Sequence, residues 1–449
     1  MTQHSLPLSS AQPATATRRG LLVATTIGNA LEFFDFTVFG FLAIAIGHNF
    51  FSPLSTRGQL LLSATTFGVG FLVRPLGGVL IGLYADRAGR RAAMTLTLSL
   101  MALGACLAGL APTYTQIGVA APCVMIVARL IQGFSAGGEV GPSTVVLLEH
   151  APPAARAWYT SWQLASQGIG IALGAASAAL LSAWLPQAAL LDWGWRVPFL
   201  LGAAILPVGV LIRRRLGALE QEARADGATP TAARRTSPGE LLREHGANFA
   251  GGVLLLMGGT VTAYMILFFI PTYAIHALKL GESASYGCAV ASGLLLALLS
   301  PLAGAIADRV GRRLPIVIGR LALIAGLYPA YAWLSEAPSI TRLLIVIVVL
   351  IVPYTLQGAP SVTLVTELFP KPIRVTATGS VYSVAVAIFG GLTPPLALWL
   401  VDFTGSRFAP AGAATLAMLV SSISLLFLRP HLAHVARGSA RPDAPPASH

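Results

Sequence analysis

Gly82-Leu83-Tyr84-Ala85-Asp86-Arg87-Ala88-Gly89-Arg90-Arg91 returns, with its charges and both glycines in place, as Gly304-Ala305-Ile306-Ala307-Asp308-Arg309-Val310-Gly311-Arg312-Arg313. The second copy lies 222 residues on, from Asp86 to Asp308, in a chain of 449. Each copy joins two long apolar runs. A second echo keeps nearly the same offset: Glu149 stands seven residues before Arg156, and Glu367 seven before Arg374. Two independent echoes at one spacing imply two structurally equivalent halves. Parallel halves around a midplane site are the architecture of a rocking carrier.

Composition sets the class around these repeats. The chain is 55% hydrophobic and 10% charged, with mean hydropathy +0.74, against about 25% charged residues in soluble chains. Most of such a surface does not face water. A helix needs about 20 mostly apolar residues to cross the hydrocarbon core. Runs of that kind predict helices near 20–46, 58–84, 92–112, 118–148, 160–184 and 195–213, then near 248–275, 284–307, 314–334, 341–366, 376–401 and 409–428. The organisation read from them is an N-terminal segment 1–19, a six-helix bundle 20–213, a polar linker 214–246, a second bundle 247–428 and a tail 429–449. The fold class expected is an all-α membrane protein of about twelve transmembrane helices in two pseudo-symmetric bundles.

The net charge of +12 would suit a nucleic-acid binder, but its placement argues otherwise. Arg18, Arg19, Arg87, Arg90, Arg91, Arg156, Arg213 to Arg215, Arg309, Arg312, Arg313 and Arg374 all fall on one set of alternate connections. The opposite set holds only Arg57, Arg196, Lys279, Arg342 and Arg407. Retention of basic loops in the cytoplasm explains this asymmetry and predicts both termini inside. Nucleic acid is not an expected partner; the lipid bilayer is. Cys106, Cys123 and Cys288 lack metal-ligand or redox spacing, so neither a disulfide framework nor a metal site is expected. There is no Walker pattern and no nucleophile–base constellation, which argues against a primary pump or an enzyme.

With these residues in view, the repeated loop resembles that of the major facilitator superfamily, and the likeness covers essentially the whole chain. A narrower resemblance is to its metabolite:proton symporter branch. It rests on Gly28-Asn29-Ala30-Leu31-Glu32-Phe33-Phe34-Asp35-Phe36, on Arg74-Pro75-Leu76-Gly77-Gly78, and on the run from Arg129 and Gln132 through Gly138-Glu139. Glu367-Leu368-Phe369-Pro370 adds to it. Phe39-Gly40-Phe41, Tyr159-Thr160-Ser161-Trp162-Gln163 with Ser166-Gln167, and Asp192-Trp193-Gly194-Trp195-Arg196 are most similar to the citrate and tricarballylate symporters of that branch. The resemblance implies a secondary transporter that imports a small organic anion by alternating access, with the proton as coupling ion and no cofactor. Other solutes of the branch (2-oxoglutarate, shikimate, proline or betaine) are the alternative, with a drug exporter or a non-transporting sensor behind them. The fifth helix reads Gly168-Ile169-Gly170-Ile171-Ala172-Leu173-Gly174 without the proline of the superfamily's antiporters, which favours symport. A monomer is expected to suffice.

Ionisable groups at membrane depth point to the site. Glu32, Asp35, Arg74, Arg129, Glu139 and Arg320 would each cost about 2.5–3.5 kcal/mol if left unpaired in lipid, so they face inward or pair. Asn29, Glu32 and Asp35 share one face of the first helix, and Arg129, Gln132 and Glu139 one stripe of the fourth. In the resembling family these two helices line the N-terminal half of the cavity. A carboxylate of helix 1 facing Arg129 forms a switchable pair: protonation frees Arg129 for an anion, and proton loss restores the pair. Asp35 is the first candidate proton acceptor, then Glu32, with Glu139 a further candidate. The alternative is a permanent ion pair holding helices 1 and 4. Arg129, with Arg320 of the ninth helix, is a candidate anion contact, and Arg74 reads as a structural charge near the basic end. Asn29, Gln132, Gln163, Gln167, Tyr264, Tyr354 and Gln357 are candidate polar anchors, or else interhelical hydrogen bonds of about 0.6 kcal/mol each. Asp86, Arg87, Arg90, Glu149, Arg156, Asp308, Arg309, Arg312, Glu367 and Arg374 are the candidate gate. Each Asp is expected to pair with an Arg of its own half. Gly133, Gly137 and Gly141 predict a small-residue packing face on the fourth helix.

Overall fold

A computed structural model describes residues 15–88, 90–204, 238–371 and 373–428. The end of the predicted sixth helix, most of the linker and of the N-terminal segment, and the whole tail read from sequence lie outside these residues. In the described chain the first half contains α1 (Thr15–Phe41, then Ala43–Phe50), α2 (Thr56–Leu72 and Arg74–Ala88), α3 (Arg90–Leu110), α4 (Ala120–Gly137 and Val140–Glu149), α5 (Arg156–Trp184) and α6 (196–204, where description stops). The second half contains α7 (Pro238–Tyr264, a wide turn Met265–Phe269, and Ile270–His276), α8 (Glu282–Val310), α9 (Arg313–Glu336), α10 (Ile340–Glu367), α11 (Arg374–Phe389 and Thr393–Thr404) and α12 (Ala409–Ser422 and Ser424–Phe427). Among the described residues, nine helices are long and apolar enough to cross a membrane, and the pair in α1, bent by 61°, makes a tenth. The shorter apolar stretch of α3 and the start of α6 complete twelve.

The breaks have local causes. In α7, Pro271 cannot donate to the carbonyl one turn back, and its ring crowds that turn. The chain absorbs this as a π turn at Met265–Phe269, a form that collects at functional sites. In α11 the helix yields at Gly390-Gly391 and restarts at Thr393, with Pro394 in its first turn, where a missing N–H costs nothing. The turn between α8 and α9 needs Gly311, which sits at φ +86°, a conformation disfavoured for a residue with a Cβ.

Burial is inverted relative to a soluble protein. Leu298, Trp184 and Phe427 are among the large apolar side chains that face outward, whereas Asn29, Glu32, Asp35, Arg74, Arg129, Gln132 and Arg320 are buried. Lipid accepts the first set and cannot solvate the second. Small residues bring helices close where this interior is built. A Cβ on Gly133 would overlap the carbonyl of Gly70, and one on Gly137 the carbonyl of Arg74, so α4 lies directly on α2. Gly141, the third member of the stripe, meets Val375 and Gly379 of α11 instead. The two halves join along α5 and α8, where Gly168 and Gly293 let the backbones touch, and along α2 and α11.

Candidate functional site

Two ion pairs lie inside the first half. Arg129 Nη1 of α4 is 3.6 Å from Asp35 Oδ2 of α1, and Gln132 Nε2 donates to that same oxygen at 2.5 Å. Gln132 reaches it because it stands one turn after Arg129. Both ions are buried, and the guanidinium lies against the rings of Phe39 at 4.3 Å and Phe36 at 5.2 Å. Among the described residues the nitrogens of Arg129 have no hydrogen-bond acceptor, and Asp35 Oδ1 has no donor. The pair is held by charge alone and keeps donors in reserve. The second pair joins Arg74 of α2 to Glu32 of α1 at 3.8 Å. Arg74 is 1% exposed and packs over Phe36 and Phe71. This differs from the structural charge near the basic end read from Arg74-Pro75. Arg74 begins the second segment of α2, just after a break at Val73, and its side chain is buried rather than set at the basic surface.

The remaining polar candidates divide. Asn29 Nδ2 donates to the Gln163 carbonyl and to Ser166 Oγ, and Gln163 Nε2 donates back to Asn29 Oδ1. These amides lock α1 to α5. Gln167 reaches across the halves and donates to the Tyr382 hydroxyl at 3.2 Å. Tyr264, Tyr354 and Tyr382, from α7, α10 and α11, lie within electrostatic range of one another, and Arg74 and Glu32 lie within range of the first and last. The second half therefore presents phenols to the charges of the first. Deeper in the second half, Arg320 donates to the Leu255 carbonyl and has no ion-pair partner among the described residues. Gln357 has neither side-chain amide atom hydrogen-bonded among the described residues, in a seam lined by Gly259 of α7 and Gly319 of α9. Glu139 is partly exposed at the break of α4, seven residues and about 10 Å along the helix from Gln132, and does not join the Asp35–Arg129 pair.

At the basic end the halves are closed on each other. Asp308 pairs with Arg312 at 3.1 Å in its own half, and its two oxygens also accept from the backbone N–H groups of Ala157 and Trp158 at 2.9 and 2.8 Å. These N–H groups open α5, where a helix has no internal acceptors and carries partial positive charge. Glu149 faces Arg374 of the other half at 3.8 Å, and Glu367 faces Arg312 at 3.4 Å. The echoes Glu149/Arg156 and Glu367/Arg374 thus pair differently from their order in sequence, because the end of α4 meets the start of α11. Arg156 and Arg309 are exposed. The side chains of Asp86, Arg87 and Arg90 lie outside the described residues.

The opposite end is closed by rings. Phe41 packs on Phe268 and Tyr286, and Phe67 on Phe268 and Tyr264. The Tyr286 hydroxyl donates to the Phe41 carbonyl at 2.6 Å, a group freed by the bend after Phe41. An exposed pair, Arg57 with Asp402 at 3.1 Å, lies outside this layer. Sequence reading missed the ring layer, Tyr382 and the capping of α5 by Asp308. Aromatic residues at helical spacing look the same whether they seal a passage or fill a core.

A two-bundle helical membrane protein with buried ion pairs at its centre and contacts closing both ends is a transporter of the alternating-access kind. The chain belongs to the Major Facilitator Superfamily, whose profile matches residues 25–296 and 288–448. It is 36% identical over 423 residues to a citrate-proton symporter of Klebsiella pneumoniae, covering 94% of each chain. It is 32% identical to a proline/betaine transporter of Salmonella typhimurium, covering 88% of this chain and 80% of that one. A crystal structure of a D-xylose-proton symporter superimposes with a TM-score of 0.70 at 18% identity, over 91% of this chain and 97% of that one; it speaks to the fold.

Proposed function

We propose that the protein imports citrate or a closely related tricarboxylate together with protons, across the inner membrane of a bacterial cell. Asp35 is the proton acceptor and Arg129 an anion contact. The observation that carries this reading is the buried Asp35–Arg129 pair, whose guanidinium has no hydrogen-bond acceptor among the described residues. While Asp35 is charged, it occupies the field of Arg129. When it takes a proton, Arg129 is left with unspent donors in a medium of low dielectric, where an incoming carboxylate is bound strongly. Loss of the proton restores the pair and drives the anion off. Gln132 steadies Asp35 in both states, since an amide serves a carboxylate and a carboxylic acid alike. Tyr264, Gln167 and Tyr354 supply further donors from both halves, and Arg320 with Gln357 an anion-receptive seam in the second. Asn29 and Gln163 set the spacing of α1 and α5.

The basic end lies in the cytoplasm, with both termini there, by the excess of arginine on its loops. Asp308, Arg312, Glu367, Glu149 and Arg374 close that end while the site faces outward, and Asp86 of the first repeat is their counterpart. One chain contains all of these parts, so a monomer suffices. A second reading is favoured by one feature: the Phe67–Tyr264–Phe268 ring cluster suits a quaternary ammonium, as in a betaine. Uptake of labelled carboxylates and zwitterions into proteoliposomes under an imposed pH gradient separates the two. Accumulation of tricarboxylate driven by inward acid is the expected result, and accumulation confined to zwitterions refutes it.

A further inference from the structure

Arg74 is a buried cation that the Asp35–Arg129 switch does not use. Its three nitrogens have no hydrogen-bond acceptor among the described residues. The Glu32 oxygen at 3.8 Å is beyond hydrogen-bonding distance. Phe36 and Phe71 lie 4.4 and 4.2 Å from the guanidinium carbon. Ring faces satisfy the flat faces of a guanidinium and leave its N–H rim open. That rim, with its fixed fork of donors, matches a carboxylate in the same plane. Arg129 stands on the same Phe36 ring at 5.2 Å, so the two guanidiniums are neighbours. Across from them the second half offers the hydroxyls of Tyr264 and Tyr382.

Resting on the carboxylate reading above, we propose that Arg74 is a second carboxylate seat, with Glu32 as the group that releases it, so that one di- or tricarboxylate is gripped by Arg74 and Arg129 together. Charge balance follows. Glu32, Asp35, Arg74 and Arg129 sum to zero when empty, and a ligand adding two carboxylates is matched when both acids are protonated. Each seat therefore carries its own proton. The groups facing Glu32 include Arg74 from α2, Tyr264 from α7 and Tyr382 from α11, with Asp35 on its own helix and Arg129 of α4 beyond Arg74. Arg129 alone would hold a ligand by one end; the paired seats also explain selection for more than one carboxylate.

Purified protein in proteoliposomes tests the assignment by counterflow of labelled citrate and of an analogue that keeps a single carboxylate. Arg74→Gln is expected to raise the citrate KM by about 30-fold or more, the scale for losing one partner of a buried charge pair, and to leave the analogue's KM nearly unchanged. Arg74→Lys, which keeps the charge and loses the fork, should fall between, and it decides the point if the Gln variant does not fold. Glu32→Gln should retain citrate counterflow but carry one proton fewer per citrate, read from the reversal of flux against set pH gradients. An unchanged citrate KM in both Arg74 variants, an equal loss for both ligands, or an unchanged proton ratio in Glu32→Gln overturns the seat. Citrate exchange that needs Arg129 but not Arg74 leaves the proposed function standing and removes this inference alone. Wild-type exchange confined to zwitterions removes both.

Discussion

Replacing Asp308 with Asn should pry open the basic end. Asp308 is 7% exposed at its side chain and accepts from two backbone N–H groups of α5 at 2.9 and 2.8 Å, beside Arg312 at 3.1 Å. Asparagine keeps the shape, but only one of its two terminal atoms accepts. One charge-assisted bond is lost outright, at about 1.5–3 kcal/mol, and the attraction of a negative charge for the start of a helix at about 0.5–1 kcal/mol. When the end opens, Asp308 and the α5 N–H groups pass to water and lose nothing by the substitution. The whole of roughly 2–4 kcal/mol therefore appears in the closed-to-open equilibrium, a shift of about 30- to 700-fold. The reporter is a single cysteine at Thr363, fully buried and bonded through its hydroxyl to Thr160 across the halves, in a background with the three native cysteines replaced. If opening and closing outrun labelling, the rate of reaction with a polar maleimide follows the open population. Asp308→Asn should raise that rate at least tenfold and slow pH-driven uptake. A labelling rate within twofold of the parent would refute the assignment of Asp308 to a gate between the halves.

Three further outcomes follow from the same geometry. Asp35→Asn should leave solute counterflow in place while a pH gradient no longer drives accumulation; accumulation at the parent level would remove Asp35 from the coupling. Arg57→Ala should change neither labelling nor uptake measurably, because Arg57 and Asp402 are 80% and 40% exposed and such a pair contributes only about 0–1 kcal/mol. Gly133→Ala should lower the melting temperature in detergent, since its Cβ overlaps the Gly70 carbonyl and overpacking costs about 1–3 kcal/mol, whereas Gly287→Ala, which meets nothing within 4 Å, should not.

The fold was legible because lipid imposes a rule that a sequence cannot disguise. Long apolar runs, basic residues on alternate loops and the repeat at Asp86 and Asp308 each constrain the same twelve-helix plan. The site was legible by halves. Buried charge is costly in lipid, so Asp35, Arg129 and Glu32 announce themselves wherever they occur. Pairing was harder to read. Arg74 read as a structural charge near the basic end, and nothing local says that its side chain packs between Phe36 and Phe71. Glu149 looked like the partner of Arg156, seven residues away, but the helix ends bring Arg374 closer. Asp308 offered an obvious arginine in its own half, and the backbone N–H groups of α5 carry no mark in a sequence at all. Contacts between the halves depend on which helix ends converge, and that is settled by the glycine seams at Gly168, Gly293, Gly141 and Gly379, not by the residues that then touch.

The two ends close by different chemistry, and the difference bears on how the molecule cycles. At the basic end the contacts are carboxylates on backbone N–H groups and on arginines, all of which find good partners in water when released. Opening there exchanges one set of hydrogen bonds for another, and the net difference is small and tunable. At the other end the contacts are rings from α1, α2, α7 and α8, with one hydroxyl donated to a carbonyl freed by the bend of α1. Opening there exposes apolar surface at about 25 cal/mol per Å², and it strands Phe41 O unless water replaces Tyr286. Unlinked to ligand, such an end would stay shut. The Arg74–Glu32 pair connects to it, because Tyr264 packs on Phe67, Phe71 and Phe268 while Phe71 also carries Arg74. A carboxylate drawing the Arg74 rim toward itself would shift the guanidinium over the Phe71 ring beneath it, and hence bear on the ring layer. The charges of the first half then act on the seal through a contact already present in the closed state, and α7, with its π turn at Met265–Phe269, is the segment with slack to follow.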